Sequence, residues 1–444
     1  MESNIYILSI YMTKTIQYLL AFVLVIALII GICPVLAVFS QPVIKDKNLK
    51  IDVVAKGLNS PTSMAFLGPK DILVVEKDDG IVNRIINGNV LPQPFLQIPV
   101  ATKSERGLLG IDVAKHNNGP TYVFLYYTES GGGKTGDDVT DGIKPNANVL
   151  YRYELINDHL INPKLLLKLP AIPGPNHDGG KVIVGPDKNV YIVIGDLRSH
   201  RTQSQNVVNG PPVDNSSGIL RVTQDGKAVP DAPLGDTSSL NLYYAYGIRN
   251  SFGMDFDPIT GKLWDTENGP NYGDEINLVE KGFNSGWAQV MGIWTPKGKI
   301  GNENAGKVNL HLPASLVNFE GKGKYREPAF IWFQTVAPTA LKFFNSTKLG
   351  KQYQNDLFVG DYNNGNLYDF KLNENRTGLS LNDAKLNNNI AYSPNDYNPF
   401  IFASGFDGGI SDIKVGPGDG YLYVLSLSGT IYKIVPSSSS AASG

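Results

Sequence analysis

The sequence contains little sulfur and little histidine: one cysteine, Cys33, and five histidines in 444 residues. Because Cys33 lies in an apolar N-terminal stretch, the rest of the chain has neither a disulfide nor a thiolate metal site. Charge of one sign is also lacking, since the formal net charge is −2 and lysine and arginine are scattered along the chain. Nucleic-acid surfaces need a concentrated positive patch, so no nucleic-acid partner is expected.

Several catalytic motifs are absent as well. The chain has no H-E-x-x-H, no Walker A and no G-x-S-x-G sequence. The glycine-containing segments DDGIVNR and GGGKTGDD read as turns, and neither opens a helix as a phosphate-binding loop does. Zincin, P-loop and α/β-hydrolase chemistry are therefore not expected.

Glycine, proline and tyrosine are abundant, with 47, 28 and 22 residues, while charged residues make up 18% and hydrophobic residues 42%. This composition is that of a globular protein rather than a disordered one. Many short strands separated by Gly, Pro, Asn and Asp turns would produce it, and long helices would not.

The N-terminus carries the one long hydrophobic run. No charged residue occurs from Thr15 to Ile44, and Lys14 lies directly before the run. About 20 apolar residues can span a bilayer, and a secretory core is shorter, so a cleaved signal and a retained anchor both remain open for residues 1–40. Either one predicts an extracytoplasmic protein whose only membrane contact is this segment.

A recurring sequence pattern, called a phrase below, runs through the rest of the chain. It consists of a small or apolar residue, a β run, a Gly/Pro/Asp/Asn turn and a second β run, and it recurs at 61–86, 107–129, 179–196, 250–269, 337–362 and 409–435. A lone hairpin cannot bury its faces, so six repeats predict a six-bladed all-β propeller. The alternative is an array of β-sandwiches.

The predicted domain boundaries follow from these repeats. Residues 1–40 are the signal or anchor, 41–49 a polar linker, 50–435 the propeller and 436–444 a flexible tail. The early strand at 50–57 is expected to complete the last blade, which would close the ring.

Three polar clusters are candidates for chemistry. His177, in the sequence Asn-His-Asp-Gly-Gly before a predicted strand, is suited to act as a general base, although a lone histidine is more often structural. Arg249 and Asn250 lie before the next phrase, where a guanidinium either packs against loops or binds an anion. Gly269–Pro270 and the acids at 274–275 offer the hard oxygens that suit Ca²⁺, without EF-hand spacing.

The segments GLLGIDV, NHDGGKVIVGPDKNVYIVIGD, YGIRNSFGMDFDPITGKLWDTENGP and GDEINLVEKGFNSGW resemble the glucose/sorbosone dehydrogenase family. This family contains the soluble sugar dehydrogenases that use pyrroloquinoline quinone (PQQ) and calcium. The resemblance runs from about residue 50 to 435 and keeps the order of the motifs. It implies that His177 is the general base and that Asp196 orients it.

The resemblance also implies the ligand contacts. The residues that it places at the cofactor are Glu105, Asn176, Arg249 and Asn250, with Arg249 also counted as catalytic. The carbonyls of Gly269 and Pro270 match ligands of the calcium at the quinone. Glu275 and the carbonyl of Ser285 match ligands of a second, structural calcium.

The chain departs from the family at the cofactor clamp. Glu105 replaces a glutamine, about Asn363 replaces a lysine, and Gly409 and Ser411 replace two arginines. PQQ carries three carboxylates, and each charge-assisted hydrogen bond contributes roughly 1.5–3 kcal/mol, so its binding is expected to be weaker than that of Ca²⁺. The side chains considered as substitutes are Lys181, Arg198 and Arg201.

Three functions therefore remain open. The first is a PQQ-dependent aldose dehydrogenase with a sugar substrate and an external electron acceptor. The second is a non-catalytic, calcium-bound propeller that binds carbohydrate or acts in adhesion. The third is a lactonase-type hydrolase, which rests on fold analogy alone.

Overall fold

A computed structural model describes residues 41–292, 316–381, 386 and 389–437. All of these residues except Gln41 belong to the unit Pro42–Gly444. The predicted signal or anchor at 1–40 and most of the predicted tail lie outside the described residues. Within the described ranges, no helix is long and apolar enough to cross a membrane.

Strands dominate the described chain. In chain order the first are β1 (Val43–Ile44), β2 (Leu49–Ala55), β3 (Pro61–Gly68), β4 (Asp71–Glu76), β5 (Ile81–Ile86), β6 (Asn89–Val90), β7 (Leu96–Gln97), β8 (Leu108–Ala114), β9 (Thr121–Glu129), β10 (Ala147–Ile156) and β11 (His159–Leu169). The next are β12 (Val182–Val184), β13 (Val190–Ile194), β14 (Gly218–Val222), β15 (Tyr243–Tyr246), β16 (Ser251–Phe256), β17 (Leu263–Glu267), β18 (Asp274–Val279), β19 (Phe283–Asn284), β20 (Lys324–Tyr325) and β21 (Phe330–Trp332). The last are β22 (Pro338–Phe343), β23 (Leu357–Asp361), β24 (Asn366–Phe370), β25 (Ile390–Ala391), β26 (Ile401–Ser404), β27 (Ile410–Val415), β28 (Leu422–Ser426) and β29 (Thr430–Pro436).

Helices are short in the same part of the chain. The α-helices are α1 (Asp137–Thr140) and α2 (Pro394–Tyr397), and 3₁₀ turns occur at Gln203–Gln205, Lys351–Tyr353 and Asn398–Phe400. None is long enough to form a layer of its own, so the described fold is all-β.

The strands pair into six sheets. Their orders are β3-β4-β5-β6 with β7 on β5, β8-β9-β10-β11, β12-β13-β14-β15-β19-β20, β16-β17-β18-β21-β25, β22-β23-β24-β26-β1 and β27-β28-β29-β2. The first strand of each sheet packs against the first strand of the next, and β27 contacts β3 again. The predicted all-β propeller class is therefore confirmed.

The last sheet joins the two ends of the propeller. Strand β2 pairs antiparallel with β29, with Ile51 opposite Ile434. The expectation that the early strand completes the final sheet is thus confirmed. The ring is closed by backbone hydrogen bonds rather than by a covalent link, as expected for a chain without a disulfide.

The middle strands are buried on both faces. In β13 the run Val-Tyr-Ile-Val-Ile is buried at every position, and β17, β23 and β28 share this pattern. These strands therefore do not alternate strictly between apolar buried and polar exposed residues. The reason is that each sheet packs face to face against both of its neighbours.

Aromatic side chains fill the space between the fourth and fifth sheets. Trp264, Phe330, Trp332, Phe343 and Phe370 are all fully or almost fully buried there. The ring centroids of Phe330 and Trp332 lie 4.7 Å apart in an edge-to-face arrangement, which is the favoured geometry for such pairs. Large rings at these positions fill the gap between two twisted sheets.

Packing at the closing sheet predicts a large difference between two truncations. Ile434 in β29 is fully buried, whereas Val53 in β2 is 39% exposed. Ile434→Ala is expected to lower the free energy of unfolding by about 2–5 kcal/mol, because it leaves a cavity. Val53→Ala, the matched control, is expected to change it by less than about 0.5 kcal/mol. Urea unfolding measures both, and equal effects would contradict the packing of this sheet.

Candidate functional site

A cavity of about 540 Å³ opens where the innermost strands begin. Every sheet contributes to its lining, including Thr62 from the first, Leu109 from the second, His177 before the third and Arg249 before the fourth. Its volume lies within the roughly 300–1,000 Å³ range of small-molecule sites. The loops around 177, 249 and 269 converge here, because His177, Arg249 and Gly269 all line this one cavity.

His177 is held by a buried carboxylate. Its Nδ1 lies 2.5 Å from Oδ1 of Asp196, whose side chain is fully buried, while the histidine side chain remains 12% exposed. A carboxylate at Nδ1 accepts the proton of that nitrogen, which fixes the tautomer and leaves Nε2 as the acceptor. Nε2 makes no hydrogen bond to a described residue. The two residues that the sequence paired therefore meet in the arrangement of an oriented base.

Asp196 is in turn held by two donors. Nε1 of Trp287 donates to its Oδ2 at 2.7 Å, and the backbone N–H of Arg198 donates to its Oδ1 at 2.9 Å. Sequence reasoning missed Trp287, although it ends the quoted GFNSGW segment. The Arg249 guanidinium also lies 5.4 Å from the Trp287 ring centroid. The Trp287 indole therefore contacts both the carboxylate that orients His177 and the Arg249 guanidinium.

Glu105 connects three loops of the site. Its carboxylate accepts from Nδ2 of Asn176 at 3.1 Å, from the backbone N–H of His177 at 2.7 Å and from Nδ2 of Asn250 at 3.0 Å. The sequence placed Glu105 in the cofactor pocket as a source of repulsion, and it does line the cavity. Its oxygens are, however, already bonded to protein donors, so its negative charge is directed at the loops that hold His177.

Arg106 does not pair with its neighbour Glu105. Its guanidinium pairs with buried Asp138 at 3.1 Å and donates to the carbonyl of Ala171 at 2.7 Å. The reason is burial: Arg106 points under the loop and away from its neighbour's carboxylate. Glu105 therefore depends on its three N–H donors alone.

Arg249 lies against the turn that was predicted to bind calcium. Its Nη1 donates to the carbonyls of Asn268 at 2.8 Å and Gly269 at 3.0 Å. The Gly269 carbonyl therefore faces a positive charge, as a calcium ligand would, but the cation here is the guanidinium. Pro270 is exposed and is not part of the cavity lining. Its role as a ligand remains a prediction.

The other predicted metal ligands lie in a buried acidic cluster between the third and fourth sheets. Glu267 and Glu275 are opposite each other on β17 and β18, and Asp265 lies two residues before Glu267 on the same face. Ser285 Oγ donates to Oε2 of Glu267 at 2.6 Å, and the backbone N–H of Gly292 donates to Glu275. Sequence reasoning missed Asp265 and Glu267, although the alternation in WDTE places them on one face of the strand.

Burial raises the pKa of each acid in this cluster. The pKa of Asp265 rises to about 7 through burial, and that of Glu267 to about 8 through burial and then the charge of Asp265. The pKa of Glu275 is raised well above its ordinary value by burial and by Glu267. Neither oxygen of Asp265 has a hydrogen-bond partner among the described residues. Buried carboxyls without a counter-ion are suited to a hard cation such as Ca²⁺.

The side chains nevertheless do not form a complete cation cage. No group of three or more His, Cys, Asp or Glu side chains in the described ranges has the arrangement of a metal site. A calcium ion here would need backbone or water oxygens in addition to Glu267 and Glu275. The donor chemistry fits calcium, and the identity of the full ligand set remains a prediction.

Three of the four positions where the cofactor clamp departs from the family, Glu105, Asn363 and Ser411, line the cavity, whereas Gly409 is not among the lining residues. Asn363 and Ser411 line it without carrying charge, beside Tyr362 and Ile410. Of the three substitutes considered from the sequence, Lys181 lines the cavity, whereas Arg198 and Arg201 are not among the lining residues.

Unpartnered polar atoms at the cavity indicate a missing ligand. Nε of Arg249, Oδ1 of Asn250 and Oδ1 of Asn268 are buried without a hydrogen-bond partner among the described residues. Leaving such atoms unpaired costs about 1–3 kcal/mol each, so a polar ligand with donors and acceptors suits this wall. These donors and acceptors match the carbonyl, carboxylate and N–H groups that PQQ carries.

Fold and site together define an all-β propeller with an oriented histidine base at the mouth of its axial cavity. Residues 58–433 match the glucose/sorbosone dehydrogenase family. The chain belongs to that family, as its sequence motifs indicated.

Individual relatives agree with this assignment. Aldose sugar dehydrogenase YliI of Escherichia coli K12 is 25% identical over 405 residues, which cover 88% of this chain and 93% of that protein. Quinoprotein glucose dehydrogenase B of Acinetobacter calcoaceticus is 30% identical over 267 residues, or 56% of this chain and 54% of the relative. The PQQ-bound aldose sugar dehydrogenase of Streptomyces coelicolor has the same fold, with a TM-score of 0.60, 20% identity and coverage of 89% and 99%.

The buried carboxyl of Asp178, the residue after His177, is expected to make the stability of the protein depend on pH. Asp178 is fully buried, and its Oδ1 accepts from Asn148 while its Oδ2 has no described partner. Burial raises the pKa of Asp178 from 3.8 to about 7. The folded state therefore keeps a proton that the unfolded state loses near pH 4, so the free energy of unfolding falls as pH rises from about 4 to 7.

Asp178→Asn removes this titration. The variant is expected to be more stable than the wild type by about 1–3 kcal/mol at pH 8, because no buried carboxylate is left unpaired, and its stability should vary less with pH. Chemical denaturation at pH 5 and pH 8 measures both effects. Exposed Asp236→Asn is the control, and an equal change in the control, or none in Asp178→Asn, would contradict the assignment.

Proposed function

We propose that this protein is a quinoprotein-type sugar dehydrogenase that oxidises an aldose with PQQ as the cofactor. The observation that carries the proposal is the His177–Asp196 pair at the mouth of a polar cavity in a member of this family. The named relatives, an aldose sugar dehydrogenase and a quinoprotein glucose dehydrogenase, support the substrate class.

His177 removes the hydroxyl proton of the sugar. Because Asp196 accepts from Nδ1, Nε2 is the nitrogen that takes this proton. The imidazolium that forms is stabilised by the carboxylate, whose charge is supported by Trp287 and the Arg198 N–H. Glu105 keeps the His177 backbone in place, so the base needs no rearrangement as the proton moves.

PQQ, when bound, supplies the two-electron acceptor for the hydride from the sugar carbon. Arg249 and Asn250 would contact it from one wall, with Asn176 beside the base and Thr335, Thr339 and Asn363 on the far side. The carbonyls of Gly269 and Pro270 would provide oxygens for a calcium at this site, and Glu275 with Ser285 for a second calcium. An external electron acceptor completes the cycle.

We also infer that the propeller has six blades, one for each sheet. The succession of innermost strands from β3 to β27 and back supports this count. We further propose that the protein acts outside the cytoplasm. The apolar run at 15–44 supports export, through either a cleaved signal or an anchor.

A non-catalytic carbohydrate-binding function is the second candidate. Uncharged Asn363 and Ser411 at clamp positions favour it, because they leave the quinone carboxylates without two expected cations. The two functions differ in one observable: only the dehydrogenase reduces a dye when aldose, PQQ and Ca²⁺ are supplied.

His177→Ala provides the direct test of the catalytic proposal. The variant is expected to lose sugar-dependent dye reduction by about 10²–10⁴-fold, because the general base is gone, while PQQ binding followed by absorbance changes little. His116→Ala is the control, since His116 is a partly buried residue that is hydrogen-bonded to the Pro120 carbonyl and does not line the cavity. Wild-type protein that binds PQQ and sugar without reducing the dye would instead establish the binding function.

Calcium binding is tested by thermal unfolding. Ca²⁺ at 100 times its Kd should stabilise the wild type by about 2.7 kcal/mol, because only the folded state gathers the acids of β17 and β18. Glu275→Gln is expected to lose most of this gain. Glu280→Gln, one residue beyond the same strand and largely exposed, should keep it. If added Ca²⁺ does not change the Tm of chelator-treated wild-type protein, the structural calcium site is refuted.

A further inference from the structure

The cavity contains few charged side chains, and most of them are already engaged. Its described lining includes the cations Lys77, Lys181 and Arg249 and the acids Glu105 and Asp274. Glu105 accepts from three protein donors, and Asp274 accepts from the backbone N–H groups of Gly269, Val336 and Ala337. Which cation is available for a ligand is therefore decided by the partners of the three basic residues.

One of the cations is committed to the protein and another only in part. Nζ of Lys181 lies 2.5 Å from Oδ1 of Asp412, and both side chains are buried. Separating a buried charge from its partner is strongly unfavourable, so Lys181 cannot readily turn to a ligand. Nη1 of Arg249 donates to two backbone carbonyls, whereas its Nε has no described partner and belongs to the wall formed with Asn250 and Asn268.

Lys77 differs from both. Its only described ion pair is with Asp78, whose side chain is 45% exposed, whereas the Lys77 side chain is 17% exposed. An ion pair with a solvated partner contributes little to stability, so Lys77 can exchange Asp78 for a ligand carboxylate at small cost. Asp78 can then return to water.

The backbone positions the Lys77 side chain toward the cavity. Lys77 follows β4 directly, and its carbonyl accepts from the Leu108 N–H at 2.9 Å, which ties the first sheet to the second. A Cβ placed on Gly107 would lie 2.5 Å from Cγ of Lys77. Because Gly107 has no side chain, the aliphatic part of the Lys77 side chain can pack directly against it.

We propose that Lys77 is the carboxylate-binding cation of the cavity and compensates for the charges missing at Asn363 and Ser411. This proposal rests on the sugar dehydrogenase function above, and it places the positive charge on the first sheet instead of on the fifth and sixth. The ligand group is a carboxylate, supplied either by PQQ or by an acidic sugar such as a uronate.

The experiment measures binding rather than turnover. Full-length wild type, Lys77→Met and Lys77→Arg are titrated calorimetrically with PQQ in Ca²⁺ and, separately, with glucuronate and glucose in the presence of PQQ. Lys77→Met keeps the aliphatic stem against Gly107, and Lys77→Arg keeps the charge. Lys70→Met, at an exposed turn of the same sheet, controls for the loss of one positive charge.

If the carboxylate belongs to PQQ, Lys77→Met should weaken PQQ binding by about 10- to 100-fold, and Lys77→Arg and Lys70→Met should bind within about threefold of the wild type. If it belongs to the sugar, PQQ binding should be unchanged and only glucuronate should bind more weakly to Lys77→Met, with glucose unaffected.

Equal binding of both ligands to wild type and Lys77→Met would overturn the proposal while leaving the dehydrogenase function standing. A wild-type protein that binds neither ligand would overturn both. Comparison of the unfolding midpoints of the four proteins identifies any variant that has lost its fold, and Lys77→Gln, which keeps most of the stem and removes the charge, then serves as the second probe of the same contact.

Discussion

The antiparallel pairing of β2 with β29 is the constraint on which the rest of this structure depends. It joins the first long strand of the propeller to its last, and so brings β27 against β3. Only when the ring is closed do the starts of all six innermost strands point to one axis. A chain without disulfides relies on this backbone ladder and on the apolar packing between sheets, including buried Ile434, to keep the ends together.

The site depends on that closure because its residues come from every sheet. Glu105 from the loop before β8 accepts from Asn176 and His177 before β12 and from Asn250 before β16. A single carboxylate thus fixes three neighbouring loops relative to each other. The cost of placing a negative charge near the base is offset by three N–H donors, and the base itself is oriented by a second carboxylate, Asp196.

Buried charged side chains are a second feature of the structure. Asp265, Glu267 and Glu275 share one face between two sheets, and Lys181 and Asp412 meet under the cavity. Ionised groups in such places are costly unless they are paired or bind a metal. Among the described residues, the acidic cluster has no ion pair with a lysine or arginine, and only the nearby charge of Arg249 acts on Glu267, so calcium fits best there. Asp412, by contrast, already has Lys181 and Lys414 beside it.

The sequence by itself determined the repeating hairpins, the closing role of the early strand and the family, because turn residues and motif order are local features. It also identified His177, and Arg249 with Asn250, since each lies just before a strand, while the pairing of Asp196 with His177 came from the resemblance to the family. It did not reveal Trp287, whose partner Asp196 lies far away along the chain. It also did not reveal Lys77 or the acids at 265 and 267, because only the packing of the sheets shows that they face the cavity or a buried cluster. The role of Glu105 could not be derived from the sequence either, because its three hydrogen-bond donors come from two other sheets. Only in the closed ring do these donors reach the Glu105 carboxylate, which then holds the loop that carries the base.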